Sequence, residues 1–175
     1  MEKKNNIVKD VGGSMKKQTI SMKIGWIVFF IYIVLLIRFI IFKYPIDTFS
    51  NIISNWDKES IYKGVESANL IPFKTVKMYI KYYDRINGFE NLFGNICAFI
   101  PYGVLVPTLF SKIRKPWMII IHTLWLSLGI EIFQLITHFG AFDIDDILLN
   151  CIGGIIGFYV YYFYNQIMIA IKIKK

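Results

Sequence analysis

The run from Trp117 to Phe139 is more than twenty residues long and largely apolar, but it carries Glu131 deep inside it. A stretch of about 20 apolar residues is long enough to cross the hydrocarbon core of a bilayer. An ionisable side chain at that depth costs roughly 2.5 to 3.5 kcal/mol on insertion scales, so its presence indicates a task. The sequence therefore predicts a membrane protein with a polar site inside the membrane.

The apolar fraction supports this prediction, because 55% of the 175 residues are hydrophobic and one soluble core of that size could not bury them all. Four stretches are long enough, or nearly so, to span a bilayer. We expect an all-α, multi-pass membrane protein with four transmembrane helices. The predicted spans are Ile24 to Phe42, Leu92 to Phe110, Trp117 to Phe139 and Ile147 to about Ile169.

The chain has a net charge of +8. Its basic residues are placed as in a membrane protein, near the ends of the predicted spans, and not as in a nucleic-acid binder. Basic residues precede the first span, fill the short link between the second and third spans, and end the chain, whereas the link between the third and fourth spans is acidic. This distribution predicts a cell-membrane protein with both termini cytoplasmic, a basic tail over residues 1–23, a membrane domain over 24–171 and a basic end over 172–175. The basic residues are Lys3, Lys4, Lys9, Lys16, Lys17 and Lys23, then Lys112, Arg114 and Lys115, then Lys172, Lys174 and Lys175.

The long segment between the first two spans shows helical spacing of apolar residues. One set is Ile46, Phe49, Ile53 and Trp56, and the other is Phe73, Val76, Ile80 and Tyr83. We expect two short external amphipathic helices that lie in the membrane interface or cover the bundle.

Polar residues of three spans fall at similar depth in the outer half of the membrane, given this topology. We therefore predict one pocket open to the outside, with Glu131 as the candidate acid or base. The amides have a second interpretation, since interhelical hydrogen bonds of Asn and Gln hold membrane bundles together. His138, one turn beyond Gln134, is a further candidate neighbour. The predicted pocket residues are Asn91, Asn95, Glu131, Gln134, Asp143, Asp146 and Asn150.

Other residues are assigned structural roles. Asp143 and Asp146 offer oxygen ligands for a cation, but we favour capping of the fourth span, because Asp146 immediately precedes Ile147. We predict no metal site and no cofactor, and Cys97 and Cys151 are expected to act as small apolar side chains. The residues predicted to pack or bend helices are Pro101, Gly103, Gly153, Gly154 and Gly157.

The ordered combination of these motifs resembles the VanZ-like family of small bacterial membrane proteins. The resemblance spans roughly half of the chain and includes most of its polar membrane residues, while Asp145 adds an acid at a position that varies in the family. The matching motifs are Asn69 to Phe73, Asn91 with Asn95, Phe99 to Gly103, Glu131 to Gln134, Asp143 to Asp146, and Asn150 with Gly153, Gly154 and Gly157.

The resemblance implies a multi-pass envelope protein and a link to reduced susceptibility to teicoplanin. We favour a non-enzymatic role in which the pocket engages membrane lipids, a lipid-linked cell-wall component or a lipoglycopeptide. The alternative is an intramembrane enzyme that uses Glu131 as acid or base on such a lipid. A small transporter is a third interpretation, against which the lack of an evident inverted repeat counts. Oligomeric state is not readable from the sequence.

Overall fold

The structure, a computed structural model, describes residues 22–39, 46–82, 88–137 and 139–173, without the side chains of 46–49 and 89. These residues form helices joined by short links, and no strand occurs within these ranges, so the predicted all-α class is confirmed. The helices are α1 (Met22–Phe39), α2 (Ile46–Ser54), α3 (Lys58–Glu66), α4 (Lys74–Lys81), α5 (Gly88–Leu109), α6 (Pro116–Thr137) and α7 (Ile144–Ile173).

Four of the helices, α1, α5, α6 and α7, are long and apolar enough to cross a membrane, which confirms the predicted number of spans. The helix ends differ from the expected ones: α5 begins at Gly88 rather than Leu92, and α7 begins at Ile144 and continues to Ile173. Hydropathy identifies only the segment of a helix that contacts lipid. The backbone hydrogen bonds of the helix continue beyond that segment at both ends. The predicted end of the first span, residues 40–42, lies outside the described residues, as do residues 1–21 of the basic tail predicted over 1–23, whereas Met22 and Lys23 of that tail belong to α1.

Helices α5 and α7 make the closest contact in the bundle. A Cβ atom added to Gly153 would collide with the carbonyl oxygen of Ile96, and one added to Gly157 would collide with that of Ile100. The two residue numbers rise together, so the helices run parallel, and glycine is what lets their backbones approach so closely. The contact contains the four glycines that the sequence assigned to packing, Gly103, Gly153, Gly154 and Gly157.

Helix α6 lies antiparallel to α7 and faces it with a stripe of small and polar residues. The amide nitrogen of Asn150 donates to Ser127 Oγ at 2.8 Å, and a Cβ on Gly154 would meet the side chain of Thr123. The stripe has a spacing of four residues, so its members lie on one helix face. The buried residues of α6 are Ile119, Thr123, Ser127 and Glu131.

Helix α1 lies antiparallel to α5 on the outside of this three-helix unit. Tyr32 donates its hydroxyl hydrogen bond to the carbonyl oxygen of Ala98 at 2.9 Å, and the Trp26 ring meets that of Phe110 at a centroid distance of 5.3 Å. Most of the α1 side chains remain exposed on the surface of the protein, where a bilayer would surround them. The first span is therefore the most loosely attached of the four.

Three short helices cover one end of the bundle, where α1 and α6 end and α5 and α7 begin, and we call this the polar end. The sequence predicted two such helices, and the structure adds α3 between them. Helix α3 packs against the last turns of α6, where Gly64 abuts the carbonyl of Leu135. The indole N–H of Trp56 donates to the carbonyl of Ile136 at 2.9 Å. These contacts fix the covering helices onto the site below them.

Candidate functional site

A small cavity lies among α1, α5, α6 and α7 at the polar end, and we call it the polar cavity. Its volume is about 40 Å³. One water needs ~10–15 Å³, so the cavity has room for about three waters or one small polar group. Its lining residues are the polar side chains Asn95, Glu131, Gln134, Asp146 and Asn150 and the apolar side chains Leu36, Phe39, Ala98, Phe99 and Ile130.

Glu131 lies at the centre of this site and is 2% exposed. Its Oε2 accepts the backbone N–H of Asp143 at 2.8 Å, and Asp143 directly precedes α7. The positive end of a helix dipole favours a nearby acidic group, so the start of α7 offsets part of the cost of burying Glu131. The carboxyl group that the sequence placed within the membrane is thus held by another helix of the bundle.

Asn150 links helix packing and the cavity. Its amide nitrogen is hydrogen-bonded to Ser127 between α7 and α6, as the interpretation of the amides as interhelical links requires. Its Oδ1 is buried, with no hydrogen-bond partner among the residues that the structure describes, and the residue lines the polar cavity. A buried acceptor without a donor costs about 1–3 kcal/mol. The cavity is therefore suited to a group that donates a hydrogen bond.

A hydrogen-bonded group above the cavity joins the covering helices to α7, and we call it the polar clasp: Asn69, Thr75, Asp143 and Asp145. Asn69 forms an isolated parallel bridge with Asp143 through its backbone, and its amide nitrogen donates to Asp143 Oδ1 at 2.9 Å. The Thr75 hydroxyl donates to the other oxygen of the Asp143 carboxylate at 2.5 Å. The clasp holds the start of α4 against the start of α7.

Asp145 is the most buried acid in the clasp, at 0% exposure. Its two oxygens accept the backbone N–H groups of Phe73, Thr75 and Val76. Those groups belong to the first turn of α4 and the residue before it, so Asp145 caps that helix from a distant part of the chain. The sequence analysis treated Asp145 as a variable addition, and the structure shows instead that it anchors α4.

Asp143 and Asp146 were both predicted to line the pocket and to cap the fourth span, and the structure gives each of them one of these two roles. Asp143 precedes α7 and accepts the N–H of Asp145 at 2.9 Å, which is an N-cap interaction. Asp146 lies inside the first turn of α7 and lines the polar cavity. The predicted cap at Asp146 was therefore wrong, because the helix begins three residues before the apolar run at Ile147.

Tyr79 of α4 is a further residue near the site that the sequence analysis did not select. Burial, together with the negative charges of Asp146 and Asp143, raises the pKa of Tyr79 to about 12. The phenol consequently stays protonated near neutral pH and is available as a hydrogen-bond donor. Its spacing from Thr75, four residues along α4, is the only sequence signal that could have indicated it.

Five of the seven residues predicted for the pocket line the polar cavity: Asn95, Glu131, Gln134, Asp146 and Asn150. Asn91 lies half-buried one turn before Asn95, outside the set that lines the cavity, and Asp143 belongs to the clasp. His138 falls outside the described residues. Cys97 and Cys151 carry free thiols on different helices.

Metal binding has no support in the geometry of the described residues. Among residues 22–39, 46–82, 88–137 and 139–173, no group of at least three His, Cys, Asp or Glu side chains is arranged to hold a metal ion. The acids are instead used as acceptors for backbone N–H groups, amides and a hydroxyl.

The fold and the site define a small multi-pass membrane protein with a buried carboxyl group, an internal polar cavity and a covering layer of short helices. The sequence model of the VanZ/LLP1 family matches residues 29–165, and the chain belongs to this family. The family that the motifs resembled is thereby confirmed.

The chain is similar to Protein VanZ of Enterococcus faecium. The two chains are 30% identical over 146 residues, which is 83% of this chain and 78% of that protein. No solved structure matches this chain.

Proposed function

We propose that this chain is a cell-envelope protein that lowers susceptibility to teicoplanin-type glycopeptides through the polar cavity. In this proposal both termini are cytoplasmic and the polar end faces outward, as the distribution of basic residues favours. The cavity then opens from the outer half of the cell membrane, where lipid-linked cell-wall components and lipoglycopeptides are found.

The observation that carries the proposal is the 2% exposure of Glu131 on a cavity lined by the four long apolar helices. Helix packing alone would be served by an amide such as that of Asn150, which avoids the cost of a buried acid. Keeping an ionisable group there supports a role in binding or in proton transfer.

The size of the cavity restricts what it can hold. About 40 Å³ cannot enclose a sugar or a peptide, so only a terminal amine or hydroxyl of a larger molecule, or bound water, would enter it. The unpaired Oδ1 of Asn150 favours such a donor. The rest of the ligand would lie outside, against α1 and the covering helices.

The test is Glu131→Gln, which keeps the shape and hydrogen bonding of the side chain but removes the ionisable proton. Wild type and variant are expressed at matched levels in a teicoplanin-sensitive Gram-positive host. We expect wild type to raise the inhibitory concentration of teicoplanin more than that of vancomycin, and Glu131→Gln to return it to the level of the empty vector. Glu66→Gln, the same change at an exposed position, is the matched control and should behave as wild type.

Two outcomes would contradict the proposal. If wild type gives no protection in this host, glycopeptide resistance is removed as the function. If Glu131→Gln protects as well as wild type, the ionisable proton has no role and the side chain serves packing.

A second candidate is an intramembrane enzyme acting on a lipid-linked cell-wall component, and Tyr79 is the observation that favours it. An acid–base mechanism needs a second group besides Glu131, and the Tyr79 phenol lies close enough to Asp146 and Asp143 for their charges to raise its pKa, so it is protonated and can donate a hydrogen bond. Tyr79→Phe removes only the hydroxyl. Loss of protection in this variant, with unchanged folding and membrane levels, would favour the enzyme, whereas full protection would favour binding alone.

A further inference from the structure

An apolar groove runs along the outside of the bundle between α1 and α5. It has a volume of about 410 Å³, which lies within the roughly 300–1,000 Å³ range of ligand pockets. Small residues of α5 create the space, because Gly94 and Ala98 lie opposite the large side chains of α1. The lining residues are Tyr32, Leu35, Leu36, Phe39, Gly94, Cys97, Ala98 and Pro101.

The groove lies beside the polar cavity, and the two share Leu36, Phe39 and Ala98 as lining residues. Both flanking helices are long and apolar enough to cross a membrane, so hydrocarbon rather than water would surround the groove in a bilayer. From Gly94 to Pro101 it covers roughly 10 Å of α5 at 1.5 Å per residue. An amphiphilic molecule can thus place a chain in the groove and its polar end near the cavity.

We propose that the groove is a binding site for one acyl chain of a membrane phospholipid. Dispersion contacts favour filling it, because a concave apolar surface left empty in a bilayer loses contacts that a chain supplies. The Tyr32 hydroxyl donates its hydrogen bond to the Ala98 carbonyl, so Tyr32 does not present a hydrogen-bond donor to the acyl chain. This assignment deepens the proposed function, since it places a lipid beside the cavity through which that function acts.

The experiment uses full-length protein in proteoliposomes that contain phosphatidylcholine with a diazirine in one acyl chain. Photolysis inserts the carbene into neighbouring side chains, and mass spectrometry locates the adducts. We expect the yield at Cys97 and Leu35 to exceed several-fold the yield at Leu124 and Trp125, which are exposed on the outer face of α6. Cys97→Leu, which narrows the groove, should lower the yield at Leu35 to that of the outer face.

Leu124→Ile is the control variant and should leave the groove adducts unchanged. Equal labelling of groove and outer face would overturn the proposal, as would groove adducts in Cys97→Leu at the wild-type level. Displacement of the adducts by teicoplanin, but not by vancomycin, would overturn the phospholipid assignment in favour of the glycopeptide's chain. The labelling does not depend on resistance, so a chain that labels as expected but gives no protection would refute only the proposed function.

Discussion

Asp145 illustrates how one side chain determines the covering layer. A helix leaves its first N–H groups without partners inside the helix, and α4 begins after a residue with positive φ, Phe73, whose side chain makes no capping bond. Asp145 supplies the missing acceptors from α7 and receives three of these N–H groups. The start of α4 therefore depends on a carboxylate that is distant in sequence.

Asp145→Ala should detach α4 from the bundle. Leaving the N–H groups of Phe73, Thr75 and Val76 without an acceptor should reduce the free energy of unfolding by about 2–4 kcal/mol. Thermal unfolding in detergent micelles, followed by the fraction of monodisperse protein, measures the change. Asp57→Ala, which removes the exposed cap of α3, is the control and should have a smaller effect. Equal stability of Asp145→Ala and wild type would contradict the anchoring role.

Sequence analysis predicted the individual residues of the cavity better than those of the clasp. Glu131, Gln134, Asn95 and Asn150 are identifiable because a polar side chain in an apolar helix is conspicuous and its depth follows from counting residues. Asn69 and Asp143 are hydrogen-bonded across 74 positions of sequence, in segments that are polar anyway. No local pattern specifies such a pair, and Asp145 in particular stands among other acids at a helix start.

Among the helices, α5 and α7 depend most on small residues, because glycines allow their backbones to lie in close contact. The spans themselves were predictable because length and apolarity are local properties of the chain. Their end positions were not, because the helices continue beyond the apolar runs. The glycine spacing indicated close packing of α7 but not its partner, and the structure places Gly153 and Gly157 against carbonyl oxygens of α5 and Gly154 against the Thr123 side chain of α6.

Gly157→Ala should weaken the bundle. The added Cβ would collide with the Ile100 carbonyl, and a helix backbone cannot shift without separating α5 from α7. Overpacking of this kind typically costs about 1–3 kcal/mol. Gly129→Ala is the matched control, because nothing lies within 4 Å of its added Cβ. The control should unfold in micelles at or slightly above the wild-type temperature, and an equal loss in both variants would show that the α5–α7 contact is not the cause.

For the whole molecule, the central question is which end faces outward. The bundle is consistent with alternating spans, since α1 and α6 run opposite to α5 and α7. The basic residues at the end where α5 meets α6 favour the cytoplasmic side for that end.

Cysteine labelling tests the orientation. In a background with Cys97 and Cys151 replaced by alanine, Ala141→Cys at the polar end should react with an impermeant thiol reagent on intact cells. Ser111→Cys, at the opposite end, should react only after permeabilisation. Both positions are exposed, so access to the side chain is comparable. The reverse pattern would place the polar cavity toward the cytoplasm.

The polar clasp also bears on the order of events during biosynthesis. Asp143 and Asp145 are translated after the covering helices and after the third span, so a ribosome must complete most of the chain before Asn69 and Thr75 can meet their partners. Until then, Glu131 lacks the Asp143 N–H that its carboxyl group accepts in the finished protein. Insertion of the last span is thus the step that closes the site, and a stalled or truncated chain would present an open polar end to the quality-control proteases of the membrane.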